Sequence, residues 1–134
     1  MSKPFRWNVP AEKDIESAIL YYLNYQIGCF AFKVDTRANF DPNLGFYRKL
    51  NKHVLPGTPD ILCCLNVNGI GVFVAFEVKA ENGRQSKQQK EFQEKLETRA
   101  NGFYFVVRSI KEVEESIQKI KDRGGKQWLS EESS

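Results

Sequence analysis

Residues 57–79 read GTPDILCCLNVNGIGVFVAFEVK, and their pattern decides the fold. Two apolar runs, Pro59 to Val67 and Val72 to Lys79, flank Asn68-Gly69. Asn-Gly between apolar runs is a strong hairpin signal, because both turn positions need a positive φ. The hairpin makes the two runs antiparallel neighbours, so the start of the first lies beside the end of the second. Asp60 and Glu77 are then expected to meet at one edge of the sheet. Lys79, two residues beyond Glu77, points to the same face. The second run is apolar on both faces until its end, which suggests a central strand covered on both sides.

Outward from this hairpin the chain alternates helix and strand. Glu12 to Gln26 is expected to be a helix, with Ile15, Ala18, Ile19, Tyr22 and Leu23 forming one apolar stripe and Gly28 as its stop. Cys29 to Val34 has the look of a short strand. Residues 35–58 carry prolines and glycines that discourage regular structure, and so long a loop in a compact domain is usually functional or mobile. Ser86 is a good N-cap for a helix to about Arg99, with Phe92 and Leu96 inward. Phe103 to Val107 is a further strand. Ser109 caps a last helix to about Lys121, with Ile110, Val113, Ile117 and Ile120 inward and Gly124-Gly125 closing it. The order αβββαβα predicts an α/β fold, a mixed sheet flanked by helices. Residues 1–10 are expected to be an extended lead-in, 11–124 a single domain, and 125–134 a disordered tail.

The bulk numbers exclude several classes. A chain of 134 residues fits one domain, and its 41% hydrophobic and 28% charged residues are ordinary for a globular protein. A net charge of +3 is too small to diagnose a nucleic-acid surface, although it can hide a local basic cluster. Three cysteines, Cys29, Cys63 and Cys64, do not make a disulfide framework, and Cys63 and Cys64 are expected to be buried, reduced thiols. With His53 the sole histidine, structural zinc is not expected. The N-terminus has no signal-peptide core and no segment has the length of a membrane span, so a cytoplasmic protein is expected.

Two carboxylates beside a lysine suit one chemistry in particular. Asp60 and Glu77 supply hard oxygen ligands for Mg²⁺, with the Val78 carbonyl as a further ligand. A bound cation lowers the pKa of water and offsets charge on a phosphate under attack. Lys79 can orient that water or help deprotonate it. Taken singly, a Glu-x-Lys strand end or a Gly-x-Pro-Asp turn is more often structural, and it is their conjunction that points to a site. In the loop 35–58, Arg37, Arg48, Lys49, Lys52 and His53 are mixed with Phe40, Phe46 and Tyr47. That mixture suits phosphate contacts and base stacking, but composition alone leaves a solvated loop equally open.

Pro59-Asp60, sixteen intervening residues (61–76), then Glu77-Val78-Lys79 resembles the signature of the PD-(D/E)xK nucleases. The Gly-x-Pro-Asp turn, the Glu-x-Lys strand, the helix start Ser86-Lys87-Gln88-Gln89 and the stretch GFYFVVRSI (102–110) resemble, more narrowly, the VRR-NUC branch. The resemblance extends from about residue 11 to 121. It implies a restriction-endonuclease-like fold and a Mg²⁺-dependent deoxyribonuclease, with Mn²⁺ able to substitute. In that reading Asp60, Glu77 and Val78 hold the metal, Lys79 acts on the water and Gln89 steadies the site. An acid on the first helix completes it: Glu16 fits best, and Glu12, one turn earlier, is the alternative. Arg84 and Lys87 join the loop cations as DNA contacts. Stand-alone members of this size resemble Holliday-junction resolvases, virus-encoded proteins among them. This implies a homodimer acting on branched DNA, a junction or a flap, in repair or recombination. The competing expectations are a nicking or restriction-like endonuclease, a non-catalytic nucleic-acid-binding module with the same fold, and a protein-interaction module that uses its exposed aromatics.

Overall fold

Strands β4 (Ile61–Val67) and β5 (Ile70–Val78) pair antiparallel from Ile61 opposite Phe76 to Val67 opposite Ile70. Asn68 and Gly69 take φ values of 53° and 85°, the two positive values a two-residue type I′ turn requires. The computed structural model describes residues 11–34, 40–47 and 53–132. Strand β1 (Cys29–Lys33) pairs antiparallel with the outer side of β4, and β6 (Phe103–Val107) pairs parallel with β5. The sheet order is β1-β4-β5-β6. The parallel step from β5 to β6 needs a crossover, and α2 (Lys87–Ala100) provides it.

Alternation along the strands divides the sheet into two faces. One face presents Ala31, Ile61, Cys63, Leu65, Val74, Phe76, Val78 and Val107 to Ile19 and Leu23 of α1 (Glu12–Tyr25) and to Val113, Ile117 and Ile120 of α3 (Ile110–Glu132). This is the core, and each fully buried aliphatic side chain there contributes roughly 1.5–3 kcal/mol. Phe76 is wholly buried, and its ring stacks on Phe105 at 5.9 Å. On the other face α2 covers β6, with Phe92 and Tyr104 ring centroids 6.4 Å apart.

The mixed sheet between helices is the fold the sequence predicts, and the order αβββαβα is retained around it. Several details differ. Residues 40–47 contain a small hairpin, β2 (Phe40–Asp41) with β3 (Phe46–Tyr47), inside the stretch expected to be irregular. Pro42 and Asn43 favour the turn and Gly45, at φ 71°, closes it. The last helix does not stop at Gly124-Gly125 but runs to Glu132. Two glycines cost a helix only about 1 kcal/mol each, and Lys126, Gln127 and Leu129 beyond them are good helix formers. Ala18 is exposed and Ile110 is 38% exposed, so the buried stripes of α1 and α3 are narrower than their periodicity suggests. Cys63 is buried as expected, but Cys64 is exposed, because neighbours in a strand face opposite ways. Ser109 does cap α3, accepting from the Glu112 N–H at 3.2 Å.

Candidate active site

Asp60 is the last residue before β4, and the register of the hairpin continued by one step sets it opposite Glu77. Beyond Ile61 the chain turns away through Pro59, so β5 loses its backbone partner on that side. The Asp60 side chain takes its place: Oδ2 accepts the Val78 N–H at 3.0 Å. On the opposite side the Lys79 N–H still reaches the Val107 carbonyl of β6 at 3.0 Å. The sheet therefore fixes the two acids from both sides.

Glu77 is 2% exposed, which is rare for a carboxylate. Its Oε1 accepts from Gln89 Nε2 at 2.8 Å and lies 3.7 Å from Lys79 Nζ. Its Oε2 is buried with no hydrogen-bond partner among the described residues. Burial, and then the charge of Asp60, push the Glu77 carboxyl up to about 8. The Lys79 ammonium pulls the other way and does not prevail. Two like charges in a desolvated site disfavour ionisation, and a cation between them would relieve both costs. The unpartnered Oε2 and the crowded carboxylates therefore fit a divalent ion. Among the described residues no three His, Cys, Asp or Glu side chains converge as ligands. A bound ion would need backbone carbonyl and water oxygens as well, a set Mg²⁺ accepts.

Gln89 reaches Glu77 because of how α2 begins. Ser86 Oγ accepts the Gln89 N–H at 3.2 Å, and Gln89 Oε1 accepts the Ser86 N–H at 2.7 Å. This reciprocal capping box fixes the amide rotamer. With its oxygen committed to the helix end, the amide turns its NH₂ toward Glu77. Gly57 couples the same helix end to the Pro59-Asp60 turn. Its φ is 82°, and a Cβ there would stand 2.5 Å from the backbone carbonyl atoms of Gln88. The turn that delivers Asp60 and the helix that delivers Gln89 thus touch backbone to backbone.

The two first-helix acids have different surroundings. Glu12 Oε1 accepts the Ala80 N–H at 3.2 Å, just past Lys79, and its charge is among those that raise Glu77. Glu16 forms an ion pair of 3.0 Å with Lys33 of β1. The structure thus brings Asp60, Glu77, Lys79, Gln89 and Glu12 together, while Glu16 joins α1 to the edge strand. Of the predicted DNA contacts, Arg84 and Lys87 are exposed at the entry to α2 and His53 is exposed ahead of the Gly57 turn. Arg37, Arg48, Lys49 and Lys52 lie outside the described residues. Sequence reading missed Tyr104. It is 4% exposed, and burial raises it to about 12. Its place on the α2 side of β6 follows from alternation with the core residue Val107, a signal the sequence did contain.

A mixed sheet with Asp60 at one strand start, Glu77-Val78-Lys79 at the neighbouring strand end and a helix amide against the glutamate defines the PD-(D/E)xK nuclease class. Within that class the chain belongs to the VRR-NUC family: the family model for the VRR-NUC domain matches residues 42–111. The match holds Asp60, Glu77, Lys79 and Gln89, and α1 lies outside it. No curated protein and no solved structure matches the chain. Among the described residues no helix is long and apolar enough to cross a membrane.

Proposed function

We propose that this VRR-NUC chain is a Mg²⁺-dependent, structure-selective DNA endonuclease that hydrolyses phosphodiester bonds in branched DNA, at a junction or flap. The observation that carries this reading is the state of Glu77: a buried carboxylate with one oxygen that meets no protein N–H or O–H among the described residues, crowded by Asp60 and within reach of Lys79. A carboxylate so placed costs stability unless a positive charge joins it, and such costs are typical of functional sites.

Asp60, Glu77 and the Val78 carbonyl would hold the ion. The chemistry it supplies when bound is a lowered pKa for water and neutralisation of charge on the phosphate. Lys79, mostly buried and 3.7 Å from Glu77 Oε1, would orient the attacking water and offset charge on the phosphate. Gln89 keeps Glu77 in one rotamer, so its second oxygen stays available. Glu12 is the better candidate for the first-helix acid, because it reaches the backbone immediately after Lys79. Arg84, Lys87 and His53 are exposed and are proposed to meet DNA phosphates, with Arg37, Arg48, Lys49 and Lys52 extending that contact. The resemblance to junction resolvases supports a homodimer, with one site for each side of a branch.

The test is incubation of purified protein with branched, nicked and linear DNA, with and without Mg²⁺ or Mn²⁺. Metal-dependent cutting, fastest on branched DNA, is expected. Absence of cutting on every DNA would remove the enzyme reading and leave a binding module.

A further inference from the structure

The carboxylates occupy only one end of the sheet face on which α2 lies. α2 packs on β6, and among the described residues no helix covers the β1 and β4 half of that face. The strand register arranges the open half in rows. Asp60 and Glu77 form the first. Phe32, Leu62 and Ala75 form the second, and Phe30, Cys64 and Phe73 the third. Phe30 is 66% exposed, Phe32 45% and Phe73 43%. The Phe30 and Phe32 rings lie 5.9 Å apart, tilted by 46°. An aromatic strip thus starts one row from the acids and leads away from them.

Three properties of the strip identify its occupant. Successive rows are two residues apart, about 7 Å along a strand, close to the reach of one nucleotide in an extended single strand. The exposed side chains are mainly aromatic rings, which accept the face of any base. The area is small: given the surface of an aromatic side chain, the three rings expose roughly 300 Å². A second protein chain needs about 800 Å² per partner for a stable interface, whereas a few stacked bases need no more than the strip offers. Base pairs in a duplex are already stacked on one another, so only unpaired nucleotides can use it.

We infer that Phe32 and Phe30, with Phe73 across Cys64 in the same row as Phe30, are a stacking platform for unpaired nucleotides leaving the cut site. The preferred DNA then carries a single-stranded arm next to the scissile phosphate. This rests on the nuclease reading above and narrows it: the site selects an unpaired arm rather than a bend or a sequence.

The experiment measures binding in the presence of a chelator, so that it is independent of cleavage. Labelled duplexes with a short single-stranded arm of either polarity are compared with a blunt duplex by fluorescence anisotropy. Phe30→Thr and Phe32→Thr keep strand propensity and remove the ring. Each is expected to weaken armed DNA about tenfold, within the range for loss of one stacked base, and to leave blunt duplex unchanged. Phe32→Trp should restore the armed affinity, which a merely structural role for the ring would not predict. Equal affinities of all variants for armed DNA would overturn the platform. So would equal losses on armed and blunt DNA, or conversion of a dimer to a monomer by either substitution, which would make the strip a chain–chain interface. Cleavage by wild-type protein is scored separately. Cutting without any arm preference removes the platform alone, and arm-dependent binding without cutting removes the nuclease reading alone.

Discussion

Gln89 holds Glu77 with the same amide that closes the N-terminus of α2: its Nε2 donates to Glu77 Oε1 at 2.8 Å while its Oε1 accepts the Ser86 N–H at 2.7 Å. The two duties can be separated. Gln89→Glu keeps the oxygen a capping box needs but replaces the donor with another acid beside Glu77. Gln89→Ala loses both duties and should cost roughly 1 kcal/mol of stability for the cap. The expected result is that Gln89→Glu folds normally at neutral pH yet cleaves about tenfold to a hundredfold more slowly, the worth of a hydrogen bond to a charged group. Single-turnover cleavage beside thermal melting checks this. Cleavage at the wild-type rate by Gln89→Glu would reduce Gln89 to a helix cap.

Burial and the Asp60 charge raise Glu77 from 4.5 to about 8, so the folded protein holds this proton more tightly than the unfolded chain does. Stability from that proton is fully present below about pH 4.5 and is lost as pH rises through 8. Metal-free protein should therefore lose melting temperature over this window. A divalent cation competes with the proton, so its apparent affinity should climb as pH approaches 8 and then level off. Melting curves across pH, with and without Mn²⁺, measure both trends. A Mn²⁺ stabilisation independent of pH would show that Glu77 does not exchange its proton for the ion.

Asp60→Asn separates charge from geometry. The amide oxygen can still accept the Val78 N–H that Asp60 Oδ2 now takes at 3.0 Å, while the charge that raises Glu77 is gone. Without metal this variant should match or exceed wild-type stability above pH 7, and it should not cleave. Lys79→Ala should also be inactive but for a different reason, since it removes the ammonium proposed to act on the attacking water and the phosphate. Its fold should survive. Cutting at the wild-type rate by either variant would take that residue out of the site.

The part of this site closest in sequence was the part most legible. Asn68-Gly69 fixes the hairpin register, and alternation then determines that Asp60, Glu77 and Lys79 share one region, so the trio followed from local rules. The fold followed as well, because Ile19, Leu23, Val113 and Ile120 mark two helices with one buried side each. The contact between Gly57 and α2 was not legible, since no periodicity reports which backbone an isolated glycine meets. Glu12 and Glu16 are one helical turn apart, and spacing alone could not say which of them reaches Ala80 and which pairs with Lys33. The hairpin at 40–47 is hidden in the sequence because Pro42 and Gly45 discourage regular structure and yet form the turn that joins its two strands.

Gly57→Ala tests that hidden contact. The residue has φ 82°, where a Cβ is strained, and the added carbon would lie 2.5 Å from the Gln88 carbonyl group and 2.7 Å from the Gln89 nitrogen. Backbone strain of this kind costs about 1–3 kcal/mol, and displacement of α2 adds to it. The expected outcome is a destabilised protein in which Gln89 no longer reaches Glu77, so cleavage falls further than melting predicts. Gly69→Ala is the control, because Gly69 also has a positive φ but a Cβ there meets nothing within 4 Å. Equal effects of the two substitutions on cleavage would show that the strain alone matters and the contact with α2 does not.

The choice between Glu12 and Glu16 is decided by paired neutral substitutions. Gln at position 12 can still accept the Ala80 N–H, so Glu12→Gln changes charge and little else. If Glu12 serves the site, this variant should weaken metal-dependent cleavage several-fold to tenfold. It should also lower Glu77 slightly, since the Glu12 charge raises it. Glu16→Gln breaks the 3.0 Å pair with Lys33. It should cost about 1 kcal/mol or less of stability, as expected of a partly exposed ion pair, and leave the metal dependence of cleavage unchanged. The double variant should then show the sum of the two effects, because the two acids have different partners. A loss of cleavage on Glu16→Gln with none on Glu12→Gln would reverse the assignment. Lys33 would then be the counter-ion of a catalytic acid, and Lys33→Met should in that case alter the pH profile of cleavage as well as the stability of β1.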